Sequence, residues 1–388
     1  MKNNVLKNLF SNQSYEQVKF TDITGRYITN SHLEQVFNEF KNDFEISIPG
    51  KSVLGKPIYQ FKAGTGNIKV LAWSQMHGNE STTTKAVFDL LNSFKLISNE
   101  NSISGILENC TLTLIPILNP DGAEAYTRVN ANSIDLNRDL QELNQPESKL
   151  LKEVYDDLKP DFCLNLHDQR TIFSAGSRPK SAILSFLTPS MDEQRSIDDY
   201  RKRSMSIIAG MAEDLSSDLS GNIGRYDDAF NINCAGDTFQ NLSTPTILFE
   251  AGHFPGDYER EITRKMVYKA LISCLYRISK ENIDLVDYKK YFELPQNQKL
   301  FNDLIIRKAM INGDVRDVAI QFKEVLKNGK IEFVPMIEKI LPEINKYAHQ
   351  EINADRKLLK LSDDSEITEN VIVNKIILND EELEVKYG

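Results

Sequence analysis

Over the first 290 or so residues, short β-branched runs alternate with longer amphipathic stretches. The segments "IKVLAWS" (68–74), "TLTLIPIL" (111–118), "DFCLNL" (161–166) and "TPTILFE" (244–250) are nearly continuous apolar runs bounded by turn residues. That is the pattern of strands buried on both faces. Apolar positions recur at helical spacing over residues 83–94, 147–158, 197–215 and 259–278. Strands alternating with helices predict an α/β class, a sheet covered by helices on both faces. After "YFELPQNQ" (291–298) the pattern changes. Charged amphipathic stretches over residues 299–361 read as helices, and "ENVIVNKIILNDEELEVKYG" reads as a hairpin turning near Asn379 and Asp380. The expected division is a catalytic domain over residues 1–295 and an accessory region over 296–388, the latter a small helical plus β-hairpin extension.

Composition narrows the setting. With 46 Lys+Arg against 56 Asp+Glu the net charge is −10, and no basic stripe overrides it, which argues against a nucleic-acid partner. The start, "MKNNVLKNLFSNQSYEQVKF", lacks the apolar core of a signal peptide. Nowhere do about 18 consecutive apolar residues occur, so the expectation is a cytoplasmic protein that does not enter the membrane. Cys110, Cys163, Cys234 and Cys274 are scattered in or beside apolar stretches and read as reduced core residues.

The chemistry-bearing residues cluster after the predicted strands: "HGNE" (77–80), "NPDG" (119–122), "LHDQ" (166–169) and "FEAGH" (249–253). Open α/β sheets place ligands at these strand ends. A catalytic zinc takes three N or O ligands and keeps a position for water. His77 and Glu80, three apart at a helix start, can aim at one ion, with His167 arriving from another strand end. H-x-x-E alone is short and common. A solvated loop pair plus a hydrogen-bonded core histidine fits those three residues equally well.

The order of motifs separates the two. "GKSVLGKPI" (50–58), "HGNE", "NPDG" followed by "TRVNAN" and "DLNRD", then "LNLHD" and "LFEAG", resembles the funnelin-type zinc metallocarboxypeptidases over about the first 255 residues. The resemblance implies a mixed, mostly parallel twisted sheet flanked by helices, and a Zn2+ ion held by His77, Glu80 and His167. It also implies Glu250 as general base, Arg128 as the group that steadies the oxyanion, and Asn137 with Arg138 as a clamp for the carboxylate of a peptide substrate with a free C-terminus. Each residue type suits its implied role. A carboxylate beside the metal takes a proton from water and passes it to the leaving amine. A fixed guanidinium meets charge that develops only in the transition state, and an Arg fork matches a carboxylate bidentately.

Tyr226 is the candidate for the family's mobile tyrosine over the substrate, although no surrounding motif pins it. Asp237 falls where the family lines its side-chain pocket, so it either meets a basic or amino-bearing substrate group or caps a loop. Asp168, directly after His167, either orients a ligand or faces solvent. The short spacing between Glu80 and His167 and the "TRVNAN" context are similar to compact bacterial members of the murein peptide amidase kind, which cut γ-D-glutamyl-diamino acid peptides. The alternative reading is a zinc-dependent deacylase of small N-acyl amino acids, like succinylglutamate desuccinylase and aspartoacylase. A non-catalytic zinc- or peptide-binding module comes third, because neither the base nor any ligand is missing.

Overall fold

Polar and apolar positions along the strands sort this chain into two β systems. The computed structural model describes residues 6, 10–280, 285–363, 365–379 and 381–386, so residues 1–5 and 7–9 of the segment read for a leader lie outside the described residues. In chain order the strands of the first part are β1 (Glu45–Lys51), β2 (Pro57–Ala63), β3 (Ile68–Ser74), β4 (Cys110–Ile115), β5 (Phe162–Asp168), β6 (Ser174–Ala175), β7 (Leu184–Leu187), β8 (Ile223–Arg225) and β9 (Thr246–Ala251). Eight of them form one sheet in the order β1-β2-β4-β3-β5-β9-β7-β8. The central run β4-β3-β5-β9 is parallel, as is β7 with β8, while β1, β2 and β7 make antiparallel contacts. The sheet is mixed and mostly parallel, as expected. Every residue of β5 is buried, which is why it reads as a continuous apolar run.

Helices cover both faces. Phe40, Phe61 and Phe88 meet on one side within a large apolar cluster that takes in the helix Glu261–Ile278. On the other, Tyr155 stacks on Phe239, which meets Trp73 edge to face. The predicted strands and helices of this part are all present within a few residues. Cys110, Cys163 and Cys274 are buried free thiols, whereas Cys234 is only half-buried, at the site described below.

The C-terminal region corrects the sequence reading. In place of helices over 299–361 the chain forms β11 (Phe301–Ile311), β12 (Asp314–Lys327), β13 (Lys330–Leu341) and β14 (Tyr347–Asn353), after a short β10 (Asn297–Gln298) that pairs with β6. They make a four-stranded sheet in the order β13-β12-β11-β14. In β13 burial alternates with period two from Lys330 to Ile337, Ile331, Phe333 and Ile337 facing inward while Lys330 and Glu332 face outward. Those Lys and Glu residues favour helices intrinsically, and the tertiary burial of the alternate face overrides them. Beyond lie β15 (Leu359–Leu361), β16 (Lys375–Leu378) and β17 (Glu381–Glu384). The predicted hairpin is β16 paired antiparallel with β17, with Asn379 in the left-handed region (φ 56°) and Asp380 outside the described residues.

This second β system grips the loop that follows β5. Phe301 N donates to Ile172 O (3.0 Å), Gln321 Nε2 to Thr171 Oγ1 (2.6 Å) and the Tyr347 hydroxyl to Ser177 O (2.8 Å). Arg26 pairs with Glu324 of β12 at 3.1 Å. Among the described residues no helix is long and apolar enough to cross a membrane.

Candidate metal centre and catalytic site

Three strand ends and one turn build the site. At the end of β3, Gln75 takes a left-handed backbone (φ 44°), and its amide donates to Ile28 O (3.0 Å) and Gly78 O (2.9 Å). The chain thereby turns so that His77 and Glu80 face inward. Gly78 passes directly against the backbone of Gly122, where any Cβ would overlap, so "HGNE" and "NPDG" are packed main chain to main chain. Asn119 caps the short helix of the second motif, accepting from Gly122 N at 2.8 Å.

His77, Glu80 and His167 are all buried, and their ligand atoms lie within 4.8 Å of one another. Glu80 Oε1 is 2.8 Å from His77 Nδ1 and Glu80 Oε2 is 2.8 Å from His167 Nδ1, with the two Nδ1 atoms 3.1 Å apart. His77 Nε2 donates to Asp135 Oδ1 (3.1 Å), leaving Nδ1 with a lone pair aimed at a carboxylate oxygen. Two acceptors at that distance repel unless a proton or a cation lies between them. Two imidazoles and a carboxylate converging in this way are the donor set of a catalytic zinc, and the residues fit one. Burial opposes ionisation of Glu80, but the His77 and His167 imidazoles outweigh it and hold the carboxyl well below its usual range.

Asp135, to which the sequence assigned no role, joins these parts. It accepts from His77, and Arg128 reaches it through Nε (3.1 Å) and Nη2 (3.0 Å). Arg128 Nη1 in turn lies 3.2 Å from His77 Nδ1 and 3.5 Å from Glu80 Oε1, so this half-exposed guanidinium sits over the metal ligands. The available signal was position, since Asp135 opens "DLNRD" two residues before Asn137. Asp168 is buried: its carboxylate accepts from Thr82 N (2.9 Å) and Thr83 N (3.3 Å) at the start of the helix Thr82–Leu96, while its own N–H donates to Glu80 Oε2 (3.2 Å). It positions Glu80 through the helix and the backbone.

Glu250 stands beside His167 across the β5–β9 ladder. Burial, with the neighbouring Glu80 and Asp168 carboxylates, pushes its carboxyl well above the ordinary range. Burial also raises the Tyr226 phenol, which is close enough to feel the Glu250 and Glu80 charges, and its ring rests 5.3 Å from Phe173. Arg260, fully buried, donates to Ala251 O (2.8 Å) and Gln169 O (2.9 Å), tying the ends of β5 and β9 together. Nothing in the sequence singled it out.

Asn137 and Arg138 occupy a turn facing the helix Ala235–Asn241. Asn137 Oδ1 accepts from Ala235 N (2.9 Å), and Arg138 Nη1 donates to Asn137 O (2.7 Å) and Cys234 Sγ (3.1 Å). Asp237 lies within reach of the Arg138 charge, and burial raises its carboxyl to about 7.

Residues 29–162 match the zinc carboxypeptidase family model, Peptidase_M14. Over this stretch the chain is similar to the zinc carboxypeptidases. The matched residues take in His77, Glu80, Arg128, Asn137 and Arg138. The chain is similar to carboxypeptidase SOL1 of Arabidopsis thaliana, 28% identical over 184 residues that cover 42% of this chain and 37% of that protein. A stretch of 79 residues is 34% identical to gamma-D-glutamyl-L-diamino acid endopeptidase 1 of Lysinibacillus sphaericus, covering 19% of this chain and 20% of that protein. The chain thus spans less than two fifths of the length of these curated relatives. In three dimensions the chain shares its fold with a metallo-carboxypeptidase from Burkholderia cenocepacia (TM-score 0.52, 16% identity, covering 64% of this chain and 68% of that one).

Proposed function

We propose that this protein is a zinc-dependent metallocarboxypeptidase that hydrolyses the C-terminal amide bond of peptides. The convergence of His77, Glu80 and His167, with Glu250 adjacent across the ladder, carries the reading. Zinc held by these three side chains supplies a Lewis acid that polarises the scissile carbonyl and makes water a better nucleophile at neutral pH. The rest is the work of this chain. Glu250 accepts the proton of the attacking water at a carboxylate oxygen and returns it to the leaving amine. Arg128, steered by Asp135, supplies N–H donors to the carbonyl oxygen as it becomes negative. The Arg138 guanidinium, with Asn137 beside it, takes the substrate's terminal carboxylate and sets which bond is cut. Tyr226 covers the substrate, and Asp237 faces its side chain.

In this reading residues 1–295 form the catalytic domain and 296–388 an accessory region. The segment similar to a gamma-D-glutamyl-L-diamino acid endopeptidase supports cell-wall-derived γ-D-glutamyl-diamino acid peptides as substrates. The test is a panel of peptide acids, the same peptides amidated, γ-D-glutamyl-diaminopimelate peptides and N-acyl amino acids, run on protein of measured zinc content. Release of C-terminal residues from the acids alone is expected. Turnover confined to N-acyl amino acids would replace this reading with the deacylase one.

A further inference from the structure

A cavity of about 280 Å³ opens beside Glu80, between the loop after β5 and the C-terminal sheet. Asn79, Glu80 and residues 168–171 line it from the catalytic side, and Gln321, Phe322, Lys323 and Glu324 of β12 from the other. Its size sits at the lower end for small-molecule pockets, about 300–1,000 Å³, and suits a single amino-acid residue. None of the clamp residues Asn137, Arg138 or Asp237 lines it, whereas the metal ligand Glu80 does. A peptide anchored at Arg138 by its C-terminal carboxylate and laid across His77, Glu80 and His167 therefore reaches this cavity with the residues that precede the scissile bond.

The charges around the cavity are not balanced in their availability. Its three acids are engaged: Glu80 with the two histidines, Asp168 with the helix N–H groups of Thr82 and Thr83, and Glu324 with Arg26 and the Tyr126 hydroxyl. Of its cations, Arg26 is consumed by Glu324 and by Tyr258 O. Arg170 and Lys323 are different. Both are exposed, one on each wall, and neither side chain forms an ion pair or hydrogen bond among the described residues. In a chain of net charge −10, two uncommitted cations on opposite walls of a small cavity beside Glu80 are a local exception to the overall field.

We propose that this cavity is a subsite for a carboxylate carried by the substrate on the N-terminal side of the bond that is cut, and that Arg170 and Lys323 read it. The C-terminal sheet then shapes specificity, contributing Lys323 from β12 directly to the substrate path. This inference rests on the carboxypeptidase reading for the direction in which the peptide lies. It narrows the substrate class to peptides with a second free carboxylate near the scissile bond, such as a glutamyl side chain or the α-carboxylate left free by a γ-linkage.

The experiment uses full-length, zinc-loaded Glu250→Gln protein, in which binding is measured without turnover, by calorimetry at low and at physiological salt. Four peptides ending in a free carboxylate or an amide, each with glutamate or glutamine at the two positions before the scissile bond, separate the two ideas. The acid-to-amide ratio at the C-terminus reads the clamp, and the glutamate-to-glutamine ratio reads the cavity. A glutamate preference of about 10-fold is expected, diminishing with salt, from two partly solvated ion pairs. It should fall to near one in the added double variant Arg170→Ala/Lys323→Ala and invert in Arg170→Glu/Lys323→Glu. Both side chains are exposed, so these changes leave the core intact. Equal affinity for glutamate and glutamine peptides, or a preference that survives the double alanine variant, would overturn the proposal whatever the acid-to-amide ratio shows. Absence of binding by all four peptides would overturn both ideas.

Discussion

The central parallel strands and the C-terminal strands each pack against an apolar cluster but use their polar residues in opposite ways. In β5 every side chain is buried, and apart from Asn165 its polar residues stand at the end of the strand, where His167 and Asp168 meet Glu80. In β13 and at the two ends of β12 the charged residues lie mostly on exposed or half-buried positions that flank a buried stretch, so they coat the surface instead of converging on a point. Convergence concentrates desolvated charge, and desolvated charge is what shifts pKa values and holds metal ions. Among the described residues, the one group of His, Cys, Asp and Glu placed to hold an ion lies at the ends of the parallel strands.

The largest expected effects are therefore at those ends. His77→Ala or His167→Ala should abolish both zinc content and hydrolysis. Glu250→Gln should keep the metal and lose about 10²–10⁴-fold in kcat, the usual cost of removing a general base. Metal analysis alongside kinetics checks both. Wild-type zinc in both histidine variants would remove the ligand assignment, and near-normal turnover in Glu250→Gln would move the base elsewhere.

A somewhat smaller effect is expected at the clamp. Amidating the substrate leaves the Arg138 guanidinium, exposed in the free chain, without its carboxylate, a loss of roughly 1.5–3 kcal/mol, or on the order of 10- to 150-fold in kcat/KM. Arg138→Lys should shrink that acid-to-amide ratio, because an ammonium is a point charge and cannot reproduce the fork. A ratio of one in the wild type would exclude the clamp.

What was legible in the sequence follows the same contrast. The parallel strands were readable because burial on both faces leaves continuous apolar runs, and the convergence of His77, Glu80 and His167 was readable because these residues sit in fixed motifs at the ends of those runs. Asp135 was visible but unassigned, since its role depends on a fold that brings residue 135 against residue 77. Arg260 was invisible, because a buried arginine that binds main-chain carbonyls leaves no local pattern. The C-terminal strands were misread as helices because their outward faces carry Lys and Glu. The sequence signal against helices is the apolar run Phe333–Ile337 with Pro335 inside it, which a helix interior does not tolerate.

The junction between the two regions supplies the next prediction. His253, just after β9, packs its ring 4.4 Å from that of His349 on β14, and neither His253 nitrogen nor His349 Nδ1 finds a hydrogen-bond partner. Burial holds His253 well below its ordinary value and His349 at about 4. Both are depressed below the unfolded value of about 6.5, so their contribution to stability is present above pH 6.5 and lost as pH falls towards 4. His349→Phe, stacked on Phe301, should make the stability lost between pH 7 and pH 5 smaller than in the wild type by on the order of 2 kcal/mol. Denaturant midpoints at the two pH values measure it. An identical loss in the variant would mean that the junction does not sense protons.

The smallest expected effect concerns Asp237, where burial raises the carboxyl to about 7 against the opposing pull of Arg138. Because its folded value is raised, its protonated form stabilises the fold at acid pH, and that contribution is lost as pH rises through about 7. The same titration delivers a negative charge to the pocket only above that pH. If Asp237 meets a basic or amino-bearing substrate group, the preference for such a peptide over a neutral one should rise by up to about 10-fold between pH 6 and pH 8, as ionisation goes from a small to a large fraction. Asp237→Asn should flatten the profile at the low value. The measurement is kcat/KM for a matched pair of peptides with lysine or norleucine at the C-terminus, across that range, in both proteins. A ratio independent of pH, and equal in the two proteins, would reduce Asp237 to the acceptor of the Asn231 N–H, holding the loop before its own helix and reading nothing on the substrate.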